Sequence, residues 1–202
     1  MTTAKAGPAR TGTRERFLEG GTRLFRSQGF HATGVKQIAG LCGAPMGSLY
    51  HFFPGGKEQI ALDGLRRSAA FYDDLMQRVF ARYPDIGDAI AKWFSMAAGF
   101  LRDSGYADGC PVGTLADGIA ATHDGLREAA SAVMQSWERR IADRLAELGV
   151  TRPEAEELAS YTVAAFEGAI LLGRVHRSTA AVDRTSRVVA ATLRRAVAGQ
   201  PA

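Results

Sequence analysis

Apolar positions recur at spacings of three and four from residue 13 almost to the end of the chain, and strand-like alternation never persists. Thr13 reads as an N-cap, with Glu15 in the first turn where a carboxylate suits the helix dipole. Phe17, Leu18, Gly21, Leu24, Phe25 and Gln28 then fall on one side of a helix whose expected left-handed stop is Gly29. Thr33 is placed to cap a short helix over 35–42, with Val35, Ile38 and Ala39 inward, and Gly43-Ala44-Pro45 breaks it. Another short helix over 46–52 turns Leu49 and Phe52 inward and ends at Phe53-Pro54-Gly55-Gly56. Two short helices joined by a tight glycine-containing turn, behind a longer one, form a helix-turn-helix unit.

The rest of the chain, from Lys57 onward, also reads as helix. The stretch 59–82 ends at Tyr83-Pro84; Asp85 caps the next helix, whose face is Ile90, Trp93, Ala97 and Phe100 and which ends near Gly105. A loop over 105–113 and a short helix over 114–121 are expected next. Residues 124–148 carry Leu126, Ala130, Val133, Trp137, Ile141 and Leu145 at helical spacing and stop at Gly149. Thr151, Pro153 and Glu154 signal another start. From 158 to 175 the residues are apolar nearly all round, so one side is expected in the chain's own core and the other against a partner subunit. An amphipathic helix over 182–197 is the last. The fold class is therefore all-α, with a flexible tail over 1–12, a helix-turn-helix domain over 13–56 and a larger helical domain over 57–202.

Composition narrows this picture. In 202 residues, 46% hydrophobic and 23% charged content excludes general disorder, and two cysteines exclude a disulfide scaffold. No uninterrupted run of 18 apolar residues is present, and residues 1–12 lack the apolar centre of a secretory signal. A cytoplasmic chain with no membrane partner is expected.

Charge is unevenly placed. Residues 1–57 hold eight basic groups against Glu15 and Glu19, a net of +6, while the remainder nets −2, for +4 in total. A basic head on a slightly acidic body suits a chain that meets a polyanion with one end. The residues of the turn unit fit double-stranded DNA. Pro45, Met46, Gly47 and Ser48 are small or uncharged, so the start of the second short helix can approach base edges in a major groove about 12 Å wide. Tyr50 and His51 follow with groups that donate to phosphate oxygens. Thr33, Gly34 and the free amides after them form a second phosphate clamp, with Lys36 and Lys57 at the two ends.

The segment from Thr33 to Glu58 resembles the DNA-binding domain of the TetR family of transcriptional repressors. It shares Thr33, Val35, Ile38, Ala39, Gly43, Gly47, Leu49, Tyr50, Phe52, Lys57 and Glu58 with that motif, preceded by the L-F-x-x-x-G-F of residues 24–30. A-P-x-G-S-L-Y-H-F-F-P-G-G-K-E and the later G-C-P-V-G-T-L-A (109–116) are similar to the LmrA/YxaF-like branch, whose members include drug- and flavonoid-responsive repressors. Met46 stands where family members often carry lysine, and Phe53 doubles Phe52 ahead of Lys57.

The resemblance implies a homodimer that binds a pseudopalindromic operator and is released by a small apolar or aromatic effector. It places the dimer contact on the last two long helices, 154–176 and 182–197, where Ala165, Ala169, Leu172, Val189 and Leu193 are the candidates. It also implies an apolar pocket in the larger domain. Trp93, Phe100, Met134, Trp137 and Phe166, with Cys110 and the polar His123 and Glu167, are candidates to line it, since a buried polar group needs a partner. The core claims the same aromatic faces, and Cys42 and Cys110 also read as plain small hydrophobes.

Four scattered histidines without ligand spacing predict no metal, and no nucleotide or nucleophile fingerprint predicts a cofactor or an enzyme. Sequence does not give the sign of regulation. An activator of the same fold, a helical small-molecule-binding protein or enzyme without DNA binding, and an interaction module are the alternatives.

Overall fold

A computed structural model describes residues 12–119 and 121–199, and among these it contains nine helices and no strand. Except for Gly12, the tail expected over 1–12 lies outside the described residues, as do the tail residues Lys5 and Arg10.

The head is built from α1 (Thr13–Gln28), α2 (Val35–Cys42), α3 (Met46–Phe52) and the start of α4 (Gly56–Arg82). Thr13 is already helical; Gly12 takes the cap position without a side-chain bond, and the Thr13 hydroxyl accepts from Arg16 at 3.2 Å instead. Gly29 does stop α1 at φ 81°, but with ψ 174° it is extended, a region open essentially to glycine alone, and not left-handed helical. Between α2 and α3, Gly43 at φ 59° and ψ 36° is left-handed, and the Ala44 N–H reaches back to the Ala39 carbonyl at 3.2 Å. Phe17, Ile38, Leu49, Phe53 and Ile60 close the head's interior and are fully buried. The helices approach closely because α1 carries glycine there. A Cβ on Gly21 would stand 2.5 Å from Ile60 Cγ2, and one on Gly20 2.7 Å from Cys42 Sγ.

The body holds α5 (Ile86–Asp103), α6 (Pro111–Ile119), α7 (Asp124–Glu147), α8 (Arg152–His176) and α9 (Ala180–Ala198). Asp85 caps α5 as its sequence suggests, accepting from the Asp88 N–H at 2.7 Å. Helix α6 begins at Pro111 and not at 114, because proline suits the first helical position, where an N–H has no partner anyway. Helix α5 packs on α9, α7 on α8, and α8 on α9.

Helix α8 is long and apolar enough, by length and composition alone, to cross a membrane. Its inner residues Ala155, Ala159, Val163, Phe166, Ala169 and Ile170 are instead spent in the core. This corrects three of the expected dimer residues: Ala169, Val189 and Leu193 are buried inside the subunit, where α8 and α9 meet α5 and each other. Ala165 is half-buried, while Leu172 is 46% exposed. The outward face of α8 and α9 carries Tyr161, Leu171, Leu172, Val175 and Val188.

Helix α4, 27 residues long, belongs to both parts. Its first half is tied to α1 by Arg14–Asp63 at 2.6 Å and by Arg67 to Glu15 and Glu19, and its second half is tied to α7 by Asp73–Arg140. The Arg140 hydrogen bond, chiefly, holds the Asp73 carboxyl below its ordinary value.

Candidate nucleic-acid interface and internal cavity

The turn unit leaves one surface of the head rich in small and polar groups. Gly34, Lys36, Pro45, Gly47 and His51 are exposed, Met46 and Tyr50 are exposed over a third to a half of their surface, and Ser48 is half-buried. Nothing lies within 4 Å of where a Gly47 Cβ would stand, so the start of α3 is open to an approaching surface. Leu49 anchors the opposite side of the same helix in the core, which fixes the direction in which the exposed side faces. Phe53, the extra aromatic, is the α3 C-cap; it is fully buried, with the Arg14 guanidinium 4.9 Å from its ring centre.

Two residues expected at this surface have other roles. Thr33 is fully buried, and its hydroxyl donates to the Gly29 carbonyl at 2.7 Å. Gly34, not Thr33, is the cap residue of α2, and its N–H donates to the Gln37 side chain at 3.3 Å. Lys57 Nζ is spent on the carbonyls of Phe30 and Thr33, both at 3.1 Å, and lies 4.2 Å from the Phe30 ring centre. An ammonium held by two carbonyls and an aromatic face locks the start of α4 to the link between α1 and α2.

Where head meets body, a cavity of about 530 Å³ opens between α1, α4, α5 and α8. Of the residues expected in a pocket, Trp93, Phe100, Cys110 and Phe166 line it. The Trp93 and Phe166 rings are stacked, with centres 4.0 Å apart and planes 9° from parallel.

The other four sit elsewhere. Trp137 lies behind the wall, fully buried and edge-on to Tyr72 and Trp93. Met134 packs half-buried against the core. His123 caps α7 and packs on Phe30 at 4.8 Å, at the head–body seam. Glu167 points its carboxyl beside Cys110 and fits only because residue 113 is glycine, whose Cβ would stand 2.3 Å from Glu167 Oε2. Burial pushes the Glu167 carboxyl up from its ordinary value, and the Cys110 thiol is raised by burial and then by the Glu167 charge. A thiol so raised stays protonated and is a poor nucleophile.

Sequence reasoning missed the wall contributed by α1 and α4: Thr22, Arg23 and Arg26 from the one, with Phe71 and Tyr72 from the other. Burial raises the Tyr72 hydroxyl as well, so it stays un-ionised. The available signal was polar residues, Thr22 and Arg26, one helical turn apart on an otherwise core-forming helix, and a Phe-Tyr pair set between the charged pairs Arg66-Arg67 and Asp73-Asp74.

The cavity's far wall is stitched to α1. Arg26 pairs with Asp108, the Gly109 N–H donates to the Arg26 carbonyl at 3.3 Å, and Arg174 donates to the carbonyls of Ser27 and Ala107 at 3.2 and 3.0 Å. An object in the cavity thus touches both the helix that supports the turn unit and the segment that holds that helix in place.

Comparison with known proteins supplies what geometry alone does not. Residues 17–63 match the family of bacterial regulatory proteins, tetR family, and residues 87–188 match the transcriptional regulator LmrA/YxaF-like C-terminal domain. The HTH-type transcriptional regulator YxaF of Bacillus subtilis is 36% identical over 84% of this chain and 88% of its own. The HTH-type transcriptional regulator LmrA of the same organism is 30% identical over 91% and 97%. A TetR transcriptional regulator from Legionella pneumophila has the same fold, at a TM-score of 0.84 and 18% identity over 92% of this chain and 99% of that one.

Proposed function

Because the chain belongs to the TetR family of DNA-binding transcriptional regulators, which are not enzymes, and carries an LmrA/YxaF-like C-terminal domain, we propose that it is a cytoplasmic homodimeric repressor released from its operator by a small apolar, aromatic effector. The exposed start of α3 enters a major groove, with Pro45, Met46, Gly47 and Ser48 toward base edges. Gly34, Lys36, Tyr50 and His51 meet phosphates, which position the head without reading sequence. Thr33 and Lys57 act one step back, by fixing the ends of α1, α2 and α4. Domain limits near 13–56 and 57–202 fit this division of labour, with α4 as the shared lever.

The dimer contact is the outward stripe of α8 and α9. Tyr161, Leu171, Leu172, Val175 and Val188 are large apolar groups left in water by the isolated subunit, and pairing two copies removes them from it. Two heads in a two-fold pair then read half-sites about 34–36 Å apart or further.

The observation that carries the regulatory half of this reading is the cavity's place: α1 and α4 wall it on one side and the body on the other. A ligand that fits better when α4 has pivoted shifts the pair toward a spacing that the operator does not match, a coupling typically worth about 1–3 kcal/mol. Selection of bound fragments from random duplexes, followed by anisotropy titration, tests the reading. A pseudopalindrome bound by a dimer is the expected result, and failure to bind any duplex in dilute buffer overturns it.

A further inference from the structure

The seven residues of α3, Met46–Phe52, include none of the side chains that read a base pair through paired hydrogen bonds. Arginine or lysine does so for guanine and asparagine or glutamine for adenine, while a carboxylate accepts from cytosine. The half-buried Ser48 carries a hydroxyl that suits any base. On α2 the one amide is already engaged. Gln37 Oε1 accepts from the Gly34 N–H at 3.3 Å and from Gln28 Nε2 at 2.9 Å, which ties it to α1. Lys36 beside it is the phosphate contact described above. What α3 does present outward is largely apolar. Met46 is 37% exposed, and Tyr50, one turn further along the same face, is 47% exposed. Gly43 and Gly47, on either side of Met46 in the chain, have nothing within 4 Å of where a Cβ would stand, so neither adds bulk that would hold a surface away from it.

The floor of a major groove offers one apolar group, the C5-methyl of thymine. An unbranched, polarizable thioether adapts its shape to such a target, and the exposed part of Met46 is not spent in the subunit's own core. Resting on the DNA-binding reading above, we propose that Met46 is a specificity-determining residue. Its thioether end packs on the C5-methyl of a thymine, and each half-site carries thymine at the base pair that faces it. Tyr50 shares the face and keeps its phosphate contact. Recognition at this one position works by removing apolar surface from water, so it is insensitive to salt, unlike the phosphate contacts around it.

Deoxyuridine, which lacks only that methyl and pairs as thymidine does, tests this on the full chain. In the operator recovered by selection from random duplexes, each thymine is replaced in both half-sites at once, and affinity is followed by anisotropy. One symmetry-related pair of replacements is expected to weaken binding about tenfold or more, since burying a methyl is worth about fourfold at each half-site. Met46→Ala is expected to bind the thymine and deoxyuridine versions of that duplex alike. Met46→Leu, which keeps the apolar bulk, is expected to retain most of the preference. Affinity for random duplexes should stay unchanged in both variants, which also shows that the head is intact. An operator without thymine, binding indifferent to every deoxyuridine, or a methyl preference undiminished in Met46→Ala would overturn the assignment and leave the DNA-binding reading standing. Failure of the wild type to bind any duplex would overturn that reading, and the assignment with it.

Discussion

Head and body both bury aromatic residues, but only the body leaves a cavity beside some of them. In the head, Phe17, Phe30 and Phe53 are buried to within 1% of fully, and glycines at 20 and 21 bring the surrounding helices into close contact. In the body, Trp93 and Phe166 stack on each other but leave one side to a cavity, and Phe100 on its rim is 50% exposed. A filled interior has one arrangement, because any change of volume meets resistance on all sides. A cavity wall has unsatisfied contacts and tolerates a change of shape. The helix-turn-helix head is therefore built to hold its form and the cavity-bearing body to yield, with α4 common to both.

Truncation should expose that contrast most clearly. Phe53→Ala opens a void in the head and is expected to cost about 3–5 kcal/mol, read as a lowered thermal midpoint and loss of duplex binding. The matching change at the rim, Phe100→Ala, should cost less than about 1 kcal/mol, since the side chain is half in water already. Equal losses would erase the distinction between filled and yielding regions.

The two sides of α8 and α9 give a contrast of similar size. Ala169→Arg buries a guanidinium in the core and should unfold the subunit, seen as loss of helical dichroism. Leu172→Arg, on the outward side, should leave the dichroism intact and convert a sedimenting dimer to monomer. A dimer that survives Leu172→Arg would move the contact elsewhere.

Glu167 gives a smaller effect, one that depends on pH. Burial raises its folded-state value, so the folded chain favours the protonated carboxyl. Its contribution is fully present below the unfolded value of a glutamate and is lost as pH rises through the folded one. Glu167→Gln, which keeps the shape without the charge, should therefore raise the thermal midpoint at neutral pH by about 2–4 °C for each kcal/mol relieved. The gain should vanish in acid; a gain constant across pH would show that charge is not the cause.

The smallest effects belong to the exposed reading surface. Tyr50→Phe and His51→Ala each remove one donor and should weaken duplex binding by about 0.5–1.5 kcal/mol, similarly for specific and random sequences. A loss confined to the selected operator would make these residues base readers.

Legibility followed the same divide. The head was readable to within a residue or two because short amphipathic helices separated by Gly43, Pro45, Pro54 and Gly56 leave few ways to fold. Asp85, Thr151 with Pro153, and Gly149 marked helix ends in the body equally well. The sidedness of α8 was not readable, because a helix apolar all round has no polar face to orient it, and Ala169 and Leu172 look alike as letters. The cavity was half readable: its aromatic body wall stood out, but the wall from α1 did not, since Thr22 and Arg26 become neighbours of Trp93 and Phe166 only when the chain folds back on itself.

The linear pattern by itself determined an all-helical chain with a DNA-reading unit at its basic end, because periodicity, caps and breakers act over a few residues. Tertiary structure alone decided which apolar face is core and which is surface, that Thr33 and Lys57 hold the head together, and where the cavity lies. Each of those depends on groups far apart in sequence competing for the same space and the same hydrogen bonds, and local spacing carries no record of that competition.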